Sequence, residues 1–170
     1  MSLLFDPDGN GPIKPNIIGI VAYKQNHPDS KAFEQRKLGF QASQSFTVHT
    51  GKEFIKALIE GSKKAPIDRL IVGSHSSGFG IYMNDDAGLY GDYSDLILKT
   101  WGSKEGAAIL SEIGKSIENG DIRFSKEAQV IFAGCNTGDY PCPGLDGFAE
   151  NFSEVVSNVY VTGANDKTNP

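Results

Sequence analysis

Residues 67–78, IDRLIVGSHSSG, decide how this chain is read. Their apolar centre does not alternate with polar residues, which marks a strand buried on both faces of a parallel sheet. Pro66 breaks the chain ahead of it, and the run ends in the polar sequence Ser74-His75-Ser76-Ser77-Gly78. A second stretch of the same design, AQVIFAGCNTG at residues 128–138, carries a buried strand into Cys135.

Three further strands flank these two: NIIGIVAY at 16–23, the shorter SFTVH at 45–49, and NVYVTG at 158–163. Helices fill the intervals. Asp29 and Ser30 cap one that runs to about Phe40. Thr50 caps a second, in which Phe54, Ile55, Leu58 and Ile59 form an apolar face and Gly61 ends the last turn. A third covers Lys104 to Glu118, and Phe148, Phe152, Val155 and Val156 give a fourth its core face. Residues 79–101, rich in Gly, Asp, Asn and Tyr, read as a long loop with a short strand at GIYM.

Alternating strands and helices imply an α/β three-layer sandwich: a mostly parallel sheet of about five strands, helices on both faces and right-handed crossovers. Residues 17–170 are expected as a single α/β domain and residues 1–16 as a turn-rich leader, the scar of a longer parent chain. The leader's Asp6-x-Asp8-x-Asn10 spacing has the start of a calcium loop, but the twelfth position holds Ile17 where a bidentate Glu belongs.

The chain has 170 residues, 39% of them hydrophobic, enough for a core without staples. A net charge of −5, with Lys63 and Lys64 the one local basic cluster, argues against nucleic-acid binding. No apolar run is long enough to span a membrane, and the N-terminus lacks the pattern of a signal peptide. A protein, peptide or small-molecule partner is expected, with the chain either cytoplasmic or part of a larger exported bacterial protein.

In open α/β sheets, ligands bind beyond the carboxyl ends of the strands, and both His75 and Cys135 fall there. They are 60 residues apart in sequence, yet neighbouring strand ends lie only ~5 Å apart. A thiol attacks a carbonyl as thiolate, and an adjacent imidazole both removes its proton and later protonates the leaving amine. Taken singly, each residue has an ordinary explanation, a small buried Cys beside Gly or a hydrogen-bonded surface His. Their joint placement at two strand ends points to chemistry.

Gly134 before the cysteine and Thr137-Gly138 after it permit a tight turn that frees backbone N–H groups. With the amide of Ser76 or Gly78, these donors suit an oxyanion hole. Asn136 either polarises the site or only turns the chain, and Ser74, Ser76 and Ser77 position the imidazole or satisfy loop backbone. Cys142 lies seven residues beyond Cys135, so a disulfide across Pro141 is open but unforced. His27, in a loop before Pro28, and His49, at the cap of the second helix, have no adjacent nucleophile. CxxC, HxxxH, GxGxxG and GxxxxGK[ST] are all missing, so neither a metal nor an organic cofactor is expected.

The pair LIVGSHSSGFGIY and VIFAGCNTG resembles the two signature segments of the caspase-like cysteine peptidases, grouped with gingipains, clostripain, legumain, separase and CHAT domains. The run from GCNTG through FAENFSEVV to VYVTGAND is similar to bacterial caspase-like domains of large surface or secreted proteins. The resemblance covers about Ile17 to Asp166, and it implies thiol-dependent peptide cleavage by a catalytic dyad of His75 and Cys135 without metal or cofactor. Members often cleave after one preferred residue that enters a charged pocket, so Asp139 and Asp166 are candidates to receive Arg or Lys. The chain departs from the group at Ser76, where most members carry Gly after the histidine. That departure keeps open a catalytically degenerate binding or scaffold domain, and a flavodoxin-like or other α/β hydrolase is a third reading.

Overall fold

The computed structural model describes residues 14–84, 88–135, 137–138, 144–157 and 159–164 and, of Trp101, the backbone alone. Its centre is β1 (Ile17–Ala22), buried from Ile18 onward. Parallel to it lie β2 (Gln44–Val48) on one side and β3 (Ile67–Ser77) on the other. Next to β3 comes β6 (Phe124–Phe132), and next to that β7 (Tyr160–Gly163), both parallel. The order β2-β1-β3-β6-β7 therefore reverses direction once, between β1 and β3.

That single reversal fixes where the helices go. A right-handed crossover that steps one way along a sheet puts its helix on one face, and a step the other way puts it on the opposite face. The β1-to-β2 connection carries α1 (Ser30–Gly39), whose Phe33 packs with Val21, Tyr23 and Phe40. All later steps run the other way and carry α2 (Gly51–Ser62), α4 (Lys104–Glu118) and α5 (Phe148–Val155). Phe54, Leu58, Ile113, Phe148 and Phe152 from these helices share one core with Ile18, Ile20, Leu70, Val72, Val130 and Phe132 of the sheet. Three layers result. On the α1 side, Gly19 and Gly73 leave room for Phe40, since a Cβ would stand 2.9 and 3.1 Å from its ring.

Local chemistry agrees with these boundaries. Thr50 and Ser103 cap α2 and α4, their side chains accepting from the Glu53 and Gly106 N–H groups at 3.2 and 2.9 Å. Among the described residues, no helix is long and apolar enough to cross a membrane.

Three sequence expectations change. Residues 79–101 hold more than the short strand expected at GIYM: beside that strand, β4 (Gly80–Tyr82), they contain β5 (Leu89–Tyr90) and α3 (Asp95–Trp101), making seven strands among the described residues. β6 starts at Phe124, ahead of its apolar run, because Glu127 takes a positive φ of 66° and the register against β3 shifts there. Lastly, β3 does not stop before His75. Its parallel ladder with β1 ends at Ser74, and His75 to Ser77 exchange that partner for an antiparallel one, β4. His75 is thus the first residue beyond the parallel sheet while still inside its strand.

Candidate active site

The turn after β1 is tight. Asn26 adopts a positive φ of 62° and the His27 N–H donates to the Lys24 carbonyl at 3.0 Å, which folds His27 back over the strand end. Asp29 follows as the residue preceding α1. Its carbonyl accepts the Phe33 N–H at 3.1 Å, but its carboxylate makes no cap hydrogen bond. That carboxylate faces the end of β3 instead, with Oδ2 3.2 Å from His75 Nε2 and 3.8 Å from His27 Nδ1.

His75 is fixed on its other sides by rings. Phe33, stacked on Tyr23, meets it edge-on at a centroid distance of 4.8 Å, and the His27 ring lies 4.5 Å away. Its Nε2 is buried and, although close to Asp29, lacks the alignment of a hydrogen bond, so it has no hydrogen-bond partner among the described residues. Burial holds the His75 pKa below the ordinary histidine value, the neighbouring His27 pushes the same way, and Asp29 opposes both without prevailing. The imidazole is therefore kept neutral, the form that accepts a proton.

On the far side of β3, Ala133 donates to the Val72 carbonyl at 2.8 Å, one residue past the ladder. Gly134 then presses against β3 so closely that a Cβ there would stand 2.0 Å from Ser76 Oγ and 2.7 Å from Ser74 Oγ. Ser76 Oγ donates to the Cys135 carbonyl at 3.0 Å. The half-buried Cys135 and His75 thus belong to adjoining segments at one sheet edge.

Thr137, fully buried, holds the cysteine turn in shape: Oγ1 reaches the Phe132 and Gly134 carbonyls at 3.2 and 3.3 Å and accepts the Ala164 N–H at 3.1 Å. Gly78 lies in the β3–β4 hairpin, where its carbonyl accepts from Phe148 N–H at 2.8 Å and from the Tyr93 hydroxyl at 3.0 Å. A cleft of about 340 Å³ opens beside His75, lined by Lys24, His27, His75, Ser76, Tyr82 and Met83.

The structure thus brings His75, Ser76, Gly134 and Cys135 to one edge, with Gly78 three residues on from His75. Asn136, Asp139, Cys142 and Asp166 lie outside the described residues, as do Asp6, Asp8 and Asn10. Sequence reasoning passed over His27 and read Asp29 only as a helix cap; both stand against His75. The ordinary role of Asp at that position hid its carboxylate.

Fold and edge together define an α/β protein with candidate chemistry beyond the carboxyl ends of a mostly parallel sheet. No protein-family model, curated protein or solved structure compared with the chain matches it.

Proposed function

We propose that this chain is a caspase-like cysteine endopeptidase, with Cys135 as nucleophile and His75 as acid and base. The observation that carries the reading is the adjacency of the two segments, expressed in the Ser76 Oγ to Cys135 carbonyl bond of 3.0 Å. The imidazole of His75, the residue before Ser76 in β3, is held to the neutral side, which supports the assignment.

In this scheme His75 takes the Sγ proton and the thiolate attacks the scissile carbonyl carbon. Backbone N–H groups of Gly134 and Cys135 and of the Ser76–Gly78 segment serve the resulting oxyanion, each donor contributing about 3 kcal/mol. The tetrahedral intermediate collapses as the C–N bond breaks and His75 protonates the leaving amine. Water then adds to the thioester, His75 taking its proton, and the acid product departs as the thiol is restored. Asp139 and Asp166 are assigned to a pocket for a basic side chain on the acyl side of the cleaved bond.

Labelling by peptidyl electrophiles that alkylate thiols tests the reading, comparing wild type with Cys135→Ala and His75→Ala. The expected result is labelling of wild type, fastest with Arg or Lys next to the electrophile, none in Cys135→Ala, and a rate about 100-fold lower or less in His75→Ala. Equal labelling of wild type and His75→Ala rejects the dyad and favours a binding domain of the same fold.

A further inference from the structure

The β1–α1 turn and the end of β3 place three metal-competent side chains together. One ring nitrogen each from His27 and His75 and a carboxylate oxygen of Asp29 all lie within 4.8 Å of one another. We propose that His27, Asp29 and His75 form a binding site for a divalent transition-metal ion of the Zn²⁺ type.

Four observations support it. The spacing fits, because a tetrahedral ion with bonds of about 2.0–2.1 Å needs ligand atoms ~3.4 Å apart, and Asp29 Oδ2 stands 3.2 Å from His75 Nε2 and 3.8 Å from His27 Nδ1; His27 Nδ1 accepts the Asp29 N–H at 3.2 Å, a hydrogen bond that the ion would displace. His75 Nε2 is buried without a hydrogen-bond partner among the described residues, a state that a metal bond would satisfy. The Asp29 carboxylate has left the capping role its position offers and points at the two rings. All three residues are half-buried, and His27 and His75 line an open cleft, which gives an ion a way in and leaves a coordination position for water or another ligand.

Two imidazoles with one carboxylate select this class of ion over Mg²⁺ or Ca²⁺, which take oxygen ligands. Local motifs did not reveal the set because its ligands come from two segments that only the sheet joins.

The ion and the proposed dyad share His75. A metal on Nε2 leaves the ring proton on Nδ1, so the imidazole has no lone pair with which to accept the thiol proton. Metal binding itself does not rest on the peptidase reading; its inhibitory consequence does.

Co²⁺, whose visible absorption reports low-symmetry coordination, tests the site in the full chain carrying Cys135→Ser and Cys142→Ser, so that thiols contribute nothing. The expected result is a saturable absorption band, displaced by Zn²⁺ and retained in His49→Ala. His27→Ala and Asp29→Ala should each weaken binding by about 100-fold or more, with far-UV circular dichroism unchanged. No saturable band, or one that persists in both variants, overturns the proposal. Since the reporter chain lacks the nucleophile, this outcome is independent of electrophile labelling. In wild type, Zn²⁺ should suppress that labelling reversibly, and chelator should restore it.

Discussion

Replacing Gly134 by alanine probes the contact that joins the two halves of the candidate site. The new methyl would stand 2.0 Å from Ser76 Oγ, 2.7 Å from Ser74 Oγ and 3.0 Å from the Ser74 carbonyl oxygen. The hydroxyl of Ser76 can rotate away, but it then gives up its bond to the Cys135 carbonyl, a loss of about 1 kcal/mol. The Ser74 carbonyl is backbone of β3 and cannot yield without shifting a buried strand, so overpacking adds about 1–3 kcal/mol.

The sum is about 2–4 kcal/mol, which for a chain of this size lowers Tm by roughly 4–16 °C. A double-mutant cycle with Ser76→Ala isolates the part carried by the serine. Ser76→Ala alone costs about 1 kcal/mol for the lost hydrogen bond, and the double variant should recover about 1 kcal/mol relative to additivity, because the most crowded atom is gone. Thermal and urea unfolding followed by circular dichroism give both quantities. Gly134→Ala within about 0.5 kcal/mol of wild type, or strict additivity in the cycle, refutes the argument that the cysteine turn is packed against β3 through Ser76.

Thr137→Val keeps the shape of the side chain but removes the acceptor of the Ala164 N–H and the donor to the Phe132 and Gly134 carbonyls; it should cost about 1–3 kcal/mol in urea unfolding, and an unchanged midpoint would remove Thr137 from the turn's support. Ser74 buries a hydroxyl with no hydrogen-bond partner among the described residues, so Ser74→Ala should be neutral or stabilising by up to about 1 kcal/mol, and a clear loss of stability would reveal a partner. The third prediction concerns pH. His75 has its pKa depressed, so in chelator the rate of electrophile labelling should fall on acidification only below the ordinary value of 6.5. Asp29→Asn, which removes the one opposing charge, should move that limb to still lower pH, and His27→Ala should move it up. By the same sign, stability from the neutral ring is complete above the unfolded value and is lost as pH falls through the folded one. Acid limbs that shift the opposite way in the two variants contradict the assigned causes.

The buried strands were legible because 17–22, 70–72 and 130–132 hold apolar residues and one glycine with no polar residue between them, the pattern of a sheet covered on both sides. The cap of α2 was equally plain, Thr50 standing three places before its hydrogen-bonded N–H. What failed was the stretch after GIYM, and the reason is packing rather than propensity. Gly88 reads as loop, yet it lets the β4–β5 hairpin close, since a Cβ there would come within 2.4 Å of the Ile81 carbonyl oxygen, as one on Gly80 would within 2.3 Å of the Leu89 one. Nothing local announces that the polar residues His75 to Ser77 continue a strand, because their partner β4 is itself only three residues long.

The site was half legible for a related reason. A strand end can be read from its own sequence, which placed His75 and Cys135 at the sheet edge. Which loop lies beside which strand end depends on strand order, and strand order is settled by crossovers whose handedness leaves no mark on any single segment. Because the order turns between β1 and β3, the chain leaving β1 departs toward α1 while the connection from β3 leads to the opposite layer, and a crevice opens between them. His27 and Asp29 occupy one wall of that crevice and His75 the other, while β6 delivers Cys135 to the far side of β3. The strand that carries His75 therefore lies between a carboxylate-bearing turn and a thiol-bearing turn. Under the proposed roles, whichever group holds the ring fixes whether it acts as a base or as a ligand, so the proposed ion binding and the proposed proton transfer at His75 exclude each other without any movement of the sheet.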